Sequence, residues 1–542
     1  MSGKVSYEDK ARAVDALYWA ESIGLVFGGM AYSIKGHDYQ VDDIRSVHSN
    51  EVNKYSVQMG KTIGQIIKRM HGLIYGVYPQ GVMYVFPTAH AVNRFSQARF
   101  TPLIEDNPEI RRFVAGTDNI ELKRVGRANL YFAGGKPQQK VAGIKKESVI
   151  LSSEPVDCVV EDEHDLIDPA MSDLAMHRMD HSELKHRARI GKPTIPDYGI
   201  DRAYAESDQK VWVIKCRHCG GETCLELEFP ECITEEGKRL CKKCRREIFP
   251  CNGDWVSQYP DREKDCSGRW ISQLNSTLIN PATILKAYRN PPNGNIAEVY
   301  NSMLGMAYIS AENQLSPNDL WAILGRDLML PNHPGPTAMG VDVGSGLHVV
   351  ILDKPNDYSV RLVKAVNLSG KNDFNDLHDL AKAFNVKSCV FDFAPEQRKV
   401  REFREQESFE VYGCIYQEKM QLNTTWDSKD GLVRVNRTEI CDATHDLVIK
   451  PGKLILPRKS DAVDEFIKHM CNLVKVLHED EDTGSKEYKY RKRGPDHYRH
   501  ALNYALLASQ RVGIYVPKEV QKRISDGWDV KESHGAGGWL GA

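Results

Sequence analysis

Apolar residues recur at helical spacing over Tyr7–Ile23 and again over Ile63–Ile74, where Ile63, Ile66, Ile67, Met70 and Leu73 share one face. Short continuous apolar runs alternate with these segments. Val82–Phe86 ends at Pro87-Thr88, Asn129–Ala133 closes on Gly134-Gly135, and Val149–Leu151 and Cys158–Val160 follow. Helix then apolar strand is the rhythm of a parallel sheet covered on both faces. Met171–Arg189 reads as helical, with His177, Arg178, His181, His186, Arg187 and Arg189 on a solvated or phosphate-contacting face. Gly191–Asp201 reads as a loop after a short strand, Arg202–Lys210 as an acidic helical segment, and 270–330 as mainly helical.

Pro331-Asn332-His333-Pro334-Gly335-Pro336 interrupts the pattern, which then restarts. Strands are expected at Ala338–Val343, Leu347–Asp353 and Val360–Val366, a helix at Asp373–Phe384, and a strand at Ser388–Asp392. A late helix opens near Asp496. The expected division is a first domain over 1–330, a linker at 331–337, a second domain over 338–512 and a tail over 513–542. The tail ends Gly535–Ala542, Gly-rich around Trp539, and reads as a disordered, partner-binding segment.

The 542 residues suffice for two or three domains with cores of their own, and 41% hydrophobic with 27% charged residues is a globular composition. A net charge of −2 confines any nucleic-acid surface to a local patch. No apolar run reaches membrane-span length and Met1-Ser2-Gly3-Lys4 opens no signal core. Of the thirteen cysteines four sit in two CxxC pairs, so a reducing, cytoplasmic compartment is expected and not a disulfide framework.

The chemistry concentrates in four places. Gly60-Lys61-Thr62 opens a helix, where backbone N–H groups, the Lys ammonium and the Thr hydroxyl can hold phosphates and Mg²⁺, although Tyr55 replaces the first glycine of the full motif. Glu161-Asp162-Glu163 follows the buried run at 158–160. Asp162 is assigned to the metal and Glu163 to the attacking water, with Glu161 leaving that register open by one residue. Tyr39-Gln40 upstream suits either adenine recognition or a packed turn. Cys216-x-x-Cys219 and Cys241-x-x-Cys244, separated by 21 residues, have the spacing of a Cys₄ zinc ribbon within 211–270. Cys224, Cys232, Cys251 and Cys266 are additional thiols that leave the ligand set open. In the second half Asp342 lies within the first strand, Asp392 ends the strand after the first helix, and Asp496 opens the late helix. Three carboxylates in that order can hold two divalent ions, Mg²⁺ or Mn²⁺, on a phosphodiester. The basic run Lys486–Arg493, with Tyr488 and Tyr490 interleaved, is either a solvated loop or a grip on a DNA backbone.

This combination resembles the large terminase subunit of tailed bacteriophages, in the branch typified by the lambda packaging motor. The resemblance rests on Gln58-Met59-Gly60-Lys61-Thr62, Tyr198–Asp201 through Ser207-Asp208-Gln209 before the first CxxC, and Pro495-Asp496-His497 with His500–Ala505. It implies an α/β fold: an N-terminal P-loop (ASCE-type) ATPase domain with a zinc-ribbon insertion, linked to a C-terminal RNase H-like nuclease domain. It further implies an ATP-driven motor that moves double-stranded DNA into a procapsid and a metal-dependent endonuclease that cuts concatemers. Lys61, Thr62, Gln58 and Gly60 then belong to the nucleotide site, Tyr39 and Gln40 to the adenine, and Thr194 to the coupling loop, which here begins Gly191-Lys192-Pro193 and not Ser-Thr-Pro. Position 57, where many relatives carry a charge-stabilising Arg, is Val, so Lys54 is the nearest basic substitute. The implied partners are DNA, a portal protein, a small terminase subunit and further copies of this chain in a ring. The implied setting is the host cytoplasm, without retention in the mature virion. A helicase-like translocase and nuclease of repair or restriction is the alternative enzyme, and a DNA-binding assembly protein the non-enzymatic one.

Overall fold

The structure is a computed structural model. It describes residues 6–135, 138–141, 144–146, 154–344, 346–370, 372–394, 396–418, 424–479 and 486–514. The chain divides into two units, Met1–Ile309 and Ser310–Ala542. The division precedes the Pro-rich stretch expected as a linker, because Leu315 and Leu320 are buried in the core of the second unit. The strand expected at Val149–Leu151 and the tail from 515 onward lie outside the described residues.

The first unit is built on an eleven-stranded sheet. Its centre is parallel: β1 (Asn50–Tyr55), β2 (Val82–Phe86), β3 (Ala128–Gly134), β4 (Cys158–Asp162), β5 (His186–Gly191), β6 (Lys210–Lys215) and β7 (Ser267–Ile271) stand in the order β6-β7-β1-β5-β4-β2-β3. Alternate residues of β2 and β4 serve opposite faces. Tyr84, Phe86, Cys158 and Val160 enter one core cluster, Met83, Val85 and Val159 another. Both faces of these strands are apolar, hence the continuous runs in the sequence. One strand, β5, separates β1 from β4, as in an ASCE-type ATPase sheet.

Helix α1 (Lys61–Ile74) follows β1 and is locked to it by buried charge. Glu51, fully buried in β1, accepts from Lys68 Nζ at 2.6 Å and Arg69 at 3.1 Å, with Arg269 of β7 at 3.8 Å. Burial opposes the Glu51 carboxylate, yet these three cations hold its pKa down to about 2. Such a cluster specifies the helix's position more than it stabilises the fold. Two expectations change here. Tyr7–Ile23 is two helices, Tyr7–Val14 and Ala16–Ser22, because Asp15 ends one and caps the next. The segment read as one helix over Met171–Arg189 stops at Met176, and Arg187 and Arg189 belong to strand β5.

The zinc-ribbon segment is not a separate body. It lies between β6 and β7, and its strand Gly253–Ser257 pairs antiparallel with β6. Cys216, Cys232 and Cys241 share one core cluster with Tyr39, Tyr55, Met59 and Trp212.

The second unit carries β8 (Thr337–Val343), β9 (Leu347–Asp353), β10 (Val360–Leu368), β11 (Val386–Asp392) and β12 (Glu410–Gln417) in the order β10-β9-β8-β11-β12. The first three pair antiparallel, and β8, β11 and β12 run parallel. That is the arrangement of an RNase H-like sheet. Helix α2 (His497–Ser509) lies against β8, its Ala501 and Ala505 buried. The basic run is no loop: Lys486–Lys492 pairs antiparallel with Leu473–Glu479, and Tyr490 donates to Asp442 at 2.7 Å.

Gly340 sets the approach of α2, since a Cβ there would run into the Ala501 carbonyl and the Ala505 backbone. Gly340→Val is therefore expected to destabilise the second unit by about 3 kcal/mol, read as a lower denaturation midpoint of that unit in chemical unfolding.

Candidate active sites

The loop from β1 to α1, residues 56–60, takes its shape from two left-handed residues, Gln58 (φ 62°) and Gly60 (φ 77°). Gln40 explains why residue 60 is glycine, because a Cβ at that position would collide with its side-chain amide. Gln40 Nε2 donates to the Met59 carbonyl at 2.9 Å and the Tyr39 hydroxyl reaches the same carbonyl at 3.3 Å. Tyr39 is 1% exposed and packs edge-on against Tyr55 and Trp212. Of the two readings of this pair, the packed turn is the one observed: Tyr39 offers no ring face to a base, and both residues brace the loop from behind. The neighbouring Val57 is tied by its N–H to the Ser302 carbonyl at 2.9 Å.

Lys61 and Thr62 meet the end of β4. Lys61 Nζ lies 2.9 Å from Glu163, and the Thr62 hydroxyl donates to Asp162 at 3.0 Å. Burial and the adjacent Glu163 charge raise Asp162 to about 6. Glu163 is held below the usual carboxylate range despite burial, chiefly by Lys61. Glu161 is fully buried on the other face, bound by Ser172 and, at 2.9 Å, by Arg187. The strand ends at Asp162 and Glu163 turns left-handed (φ 54°), which takes it off the face of Glu161 and brings it to Lys61.

Lys54, the expected basic substitute, is buried and engaged within the first unit. Its ammonium is 3.0 Å from Asp201 and lies over the rings of Tyr204 and Trp270 at 4.6 and 4.7 Å. This cation is already engaged by its own neighbours. Thr194 is pinned to the loop that follows Glu163, donating to the Asp165 carboxylate through its N–H (2.8 Å) and its hydroxyl (2.6 Å). Asp165, which also accepts from the Ile200 N–H at 2.6 Å, carries no motif signal in the sequence.

The four expected cysteines form one cluster, with ligand atoms of Cys216, Cys219, Cys241 and Cys244 within 4.8 Å of one another. The two knuckles are built alike. Cys216 N–H donates to Gly221 and Gly220 N–H to Cys216; Cys241 N–H donates to Arg246 and Arg245 N–H to Cys241. The turn residue is left-handed in both, Gly220 at φ 67° and Arg245 at φ 59°. Cys224 and Cys232 instead face Glu226 and the Leu225 carbonyl, which closes the ligand set that spacing left open. Four thiols so placed fit a tetrahedral ion.

In the second unit Asp342, Asp392 and Asp496 gather around two imidazoles. His497 Nδ1 lies 2.9 Å from Asp342, and His500 Nε2 lies 3.2 Å from Asp496. Burial, and after it the like charge of Asp342, raises the Asp392 pKa, whereas Asp496 is lowered against burial by His500. Tyr416 orients His500 through a 3.1 Å bond and is itself held by Asn503. The compact ligand group is not the three carboxylates: among the described residues it is Asp342 with His348 and His497. His348 escaped sequence reading because it sits inside an apolar strand, where only the register Asp342↔His348 reveals its neighbour.

Comparison with known proteins bears on the fold that carries these sites. Residues 38–255 match the family model of the phage terminase large subunit gpA, ATPase domain. The crystal structure of the HK97 bacteriophage large terminase is similar at 10% identity and TM-score 0.55, covering 91% of this chain and 99% of that one, which shows a shared fold. The large terminase of a thermophilic bacteriophage aligns at 11% identity and TM-score 0.31, over 88% of this chain and 98% of that one. No curated protein matches.

The cysteine cluster predicts one tightly bound metal ion per chain, measured by elemental analysis of the purified protein. Cys241→Ser should lose it and lower the melting temperature of the first unit, and a strong chelator should do the same to the native chain.

Proposed function

We propose that this chain, whose residues 38–255 match the phage terminase large subunit gpA ATPase domain, is a large terminase subunit, the motor and nuclease of a phage DNA-packaging machine. ATP hydrolysis in the first unit drives double-stranded DNA into a procapsid, and the second unit cuts concatemeric DNA. One observation carries the reading: a phosphate loop paired to two carboxylates, Lys61 to Glu163 and Thr62 to Asp162, shares a chain with a second, carboxylate-rich centre on an RNase H-like sheet.

The residues divide the work as follows. The left-handed loop and the first turn of α1 present N–H groups to the phosphates. Lys61 neutralises their charge, and Thr62 with Asp162 holds the Mg²⁺, which when bound screens the charge of the transferring phosphoryl group. Glu163, ionised by its lysine partner, takes the proton of the attacking water. Asp165 joins this loop to Thr194, a direct path from hydrolysis to the coupling segment. A structural zinc in the cysteine cluster keeps the edge of the sheet in place. The portal, a small terminase subunit and a ring of further copies are the expected partners, in the host cytoplasm, and the motor leaves before the virion matures.

Separate variants test the two activities. Glu163→Gln should lower ATP hydrolysis by about 10³-fold and leave metal-dependent plasmid cleavage intact; Asp392→Ala should abolish cleavage and leave ATP hydrolysis intact. Loss of both activities in either variant would sink the division of labour. The raised Asp162 supplies a pH signature. Below about 6 its carboxyl is protonated and cannot ligate a hard cation, so affinity for Mg²⁺-nucleotide should climb about tenfold per pH unit up to that value and then level off. A profile flat from pH 5 to 7, measured with a fluorescent nucleotide, contradicts the metal role of Asp162.

A further inference from the structure

The nuclease centre contains more nitrogen than its three carboxylates require. Asp342 and His348 are directly opposed on β8 and β9, so their side chains share a face of the sheet. His497, the first residue of α2, closes over them, its ring stacked on His348 at 4.5 Å and 16° and its Nδ1 2.9 Å from Asp342. The three donor atoms lie within 4.8 Å of one another. His348 is 5% exposed, and its Nδ1 has no hydrogen-bond partner among the described residues. His469 stands behind, its ring 5.5 Å from that of His348 and its Nδ1 accepting from the Tyr498 N–H at 3.4 Å. No hydrogen bond joins it to His348 Nδ1.

A buried imidazole nitrogen without a partner is costly, and the cost is removed when a cation takes its lone pair. Imidazole donors favour first-row transition ions over Mg²⁺, which prefers oxygen. We propose that Asp342, His348 and His497 together hold one first-row transition-metal ion, making this half of the nuclease centre a mixed carboxylate–imidazole site. The inference rests on the nuclease reading above and goes beyond it in naming the ligands and the class of metal. Asp392 and Asp496 remain for the second ion.

The test uses the full-length chain with its cysteine cluster already loaded with zinc, and Mn²⁺ alone as the probe, without nucleotide or DNA. Pulsed electron paramagnetic resonance of the bound Mn²⁺ should show ¹⁴N coupling in the wild type. His348→Leu should weaken both the coupling and the Mn²⁺ affinity, the latter by about tenfold, and His348→Leu with His497→Ala should remove the coupling. Thermal melting checks that the variants fold, but the wild-type spectrum is decisive by itself. Mn²⁺ that is released by Asp342→Ala yet shows no ¹⁴N coupling overturns the mixed site and leaves the nuclease reading standing. Absence of any Asp342-dependent Mn²⁺ binding overturns both.

Discussion

Two contacts, Lys61 to Glu163 at 2.9 Å and Thr62 to Asp162 at 3.0 Å, join the first turn of a helix to the end of a strand two places away in the sheet. Contacts this short between elements far apart in the chain require the helix to be fixed in both position and rotation. The buried Glu51–Lys68–Arg69–Arg269 cluster supplies the rotation, because a slip of α1 would leave a charge without its partner in the interior. Position comes from the loop, whose left-handed Gly60 lets the chain pass under the Gln40 amide. In the proposed function, the phosphate site is thus prepared in advance, with the fixed donors that electrostatic catalysis depends on.

The second unit solves a different electrostatic problem. Its acids must sit near one another, and the groups bonded to them are imidazoles, with the Lys492 charge acting on Asp496 after His500. His497 and His500 each face a carboxylate, and Tyr416 and Asn503 hold the second imidazole in turn. A histidine can relinquish its proton when a metal arrives, whereas a lysine would keep its charge and repel the ion.

The fold was largely legible in the sequence wherever periodicity was strong. Apolar runs marked β2, β4, β8 and β9, and the glycine of Gly-Lys-Thr marked the turn into α1. The CxxC pairs identified the cluster because knuckle geometry is local. Legibility failed where distant partners decide. Lys54 was the nearest basic substitute for the missing Arg in the sequence, and only the structure shows Asp201, Tyr204 and Trp270 closed around it. Tyr39 suited adenine or a packed turn equally until Trp212, from the ribbon side of the sheet, decided for the turn. Arg187 and Arg189 read as helical because their spacing mimics a basic helix face, yet a parallel ladder between β1 and β4 claims them. His348 and Asp165 have no motif at all. Each becomes visible only when a neighbouring strand or loop brings its partner to it.

Met59 of the phosphate loop and Cys216 and Cys241 of the metal knuckles lie in the same apolar cluster, with Trp212 of β6 packed between the two regions. The ribbon strand Gly253–Ser257 also completes the edge of the sheet on which that loop rests. The ribbon is therefore structurally inseparable from the first unit. Excising it would strip the packing from beneath the loop, so a shortened descendant of this chain would have to rebuild its phosphate site as well as close a gap. The cluster is a foundation shared by the Gly-Lys-Thr loop and the four cysteines, and a chain with this architecture inherits both or neither.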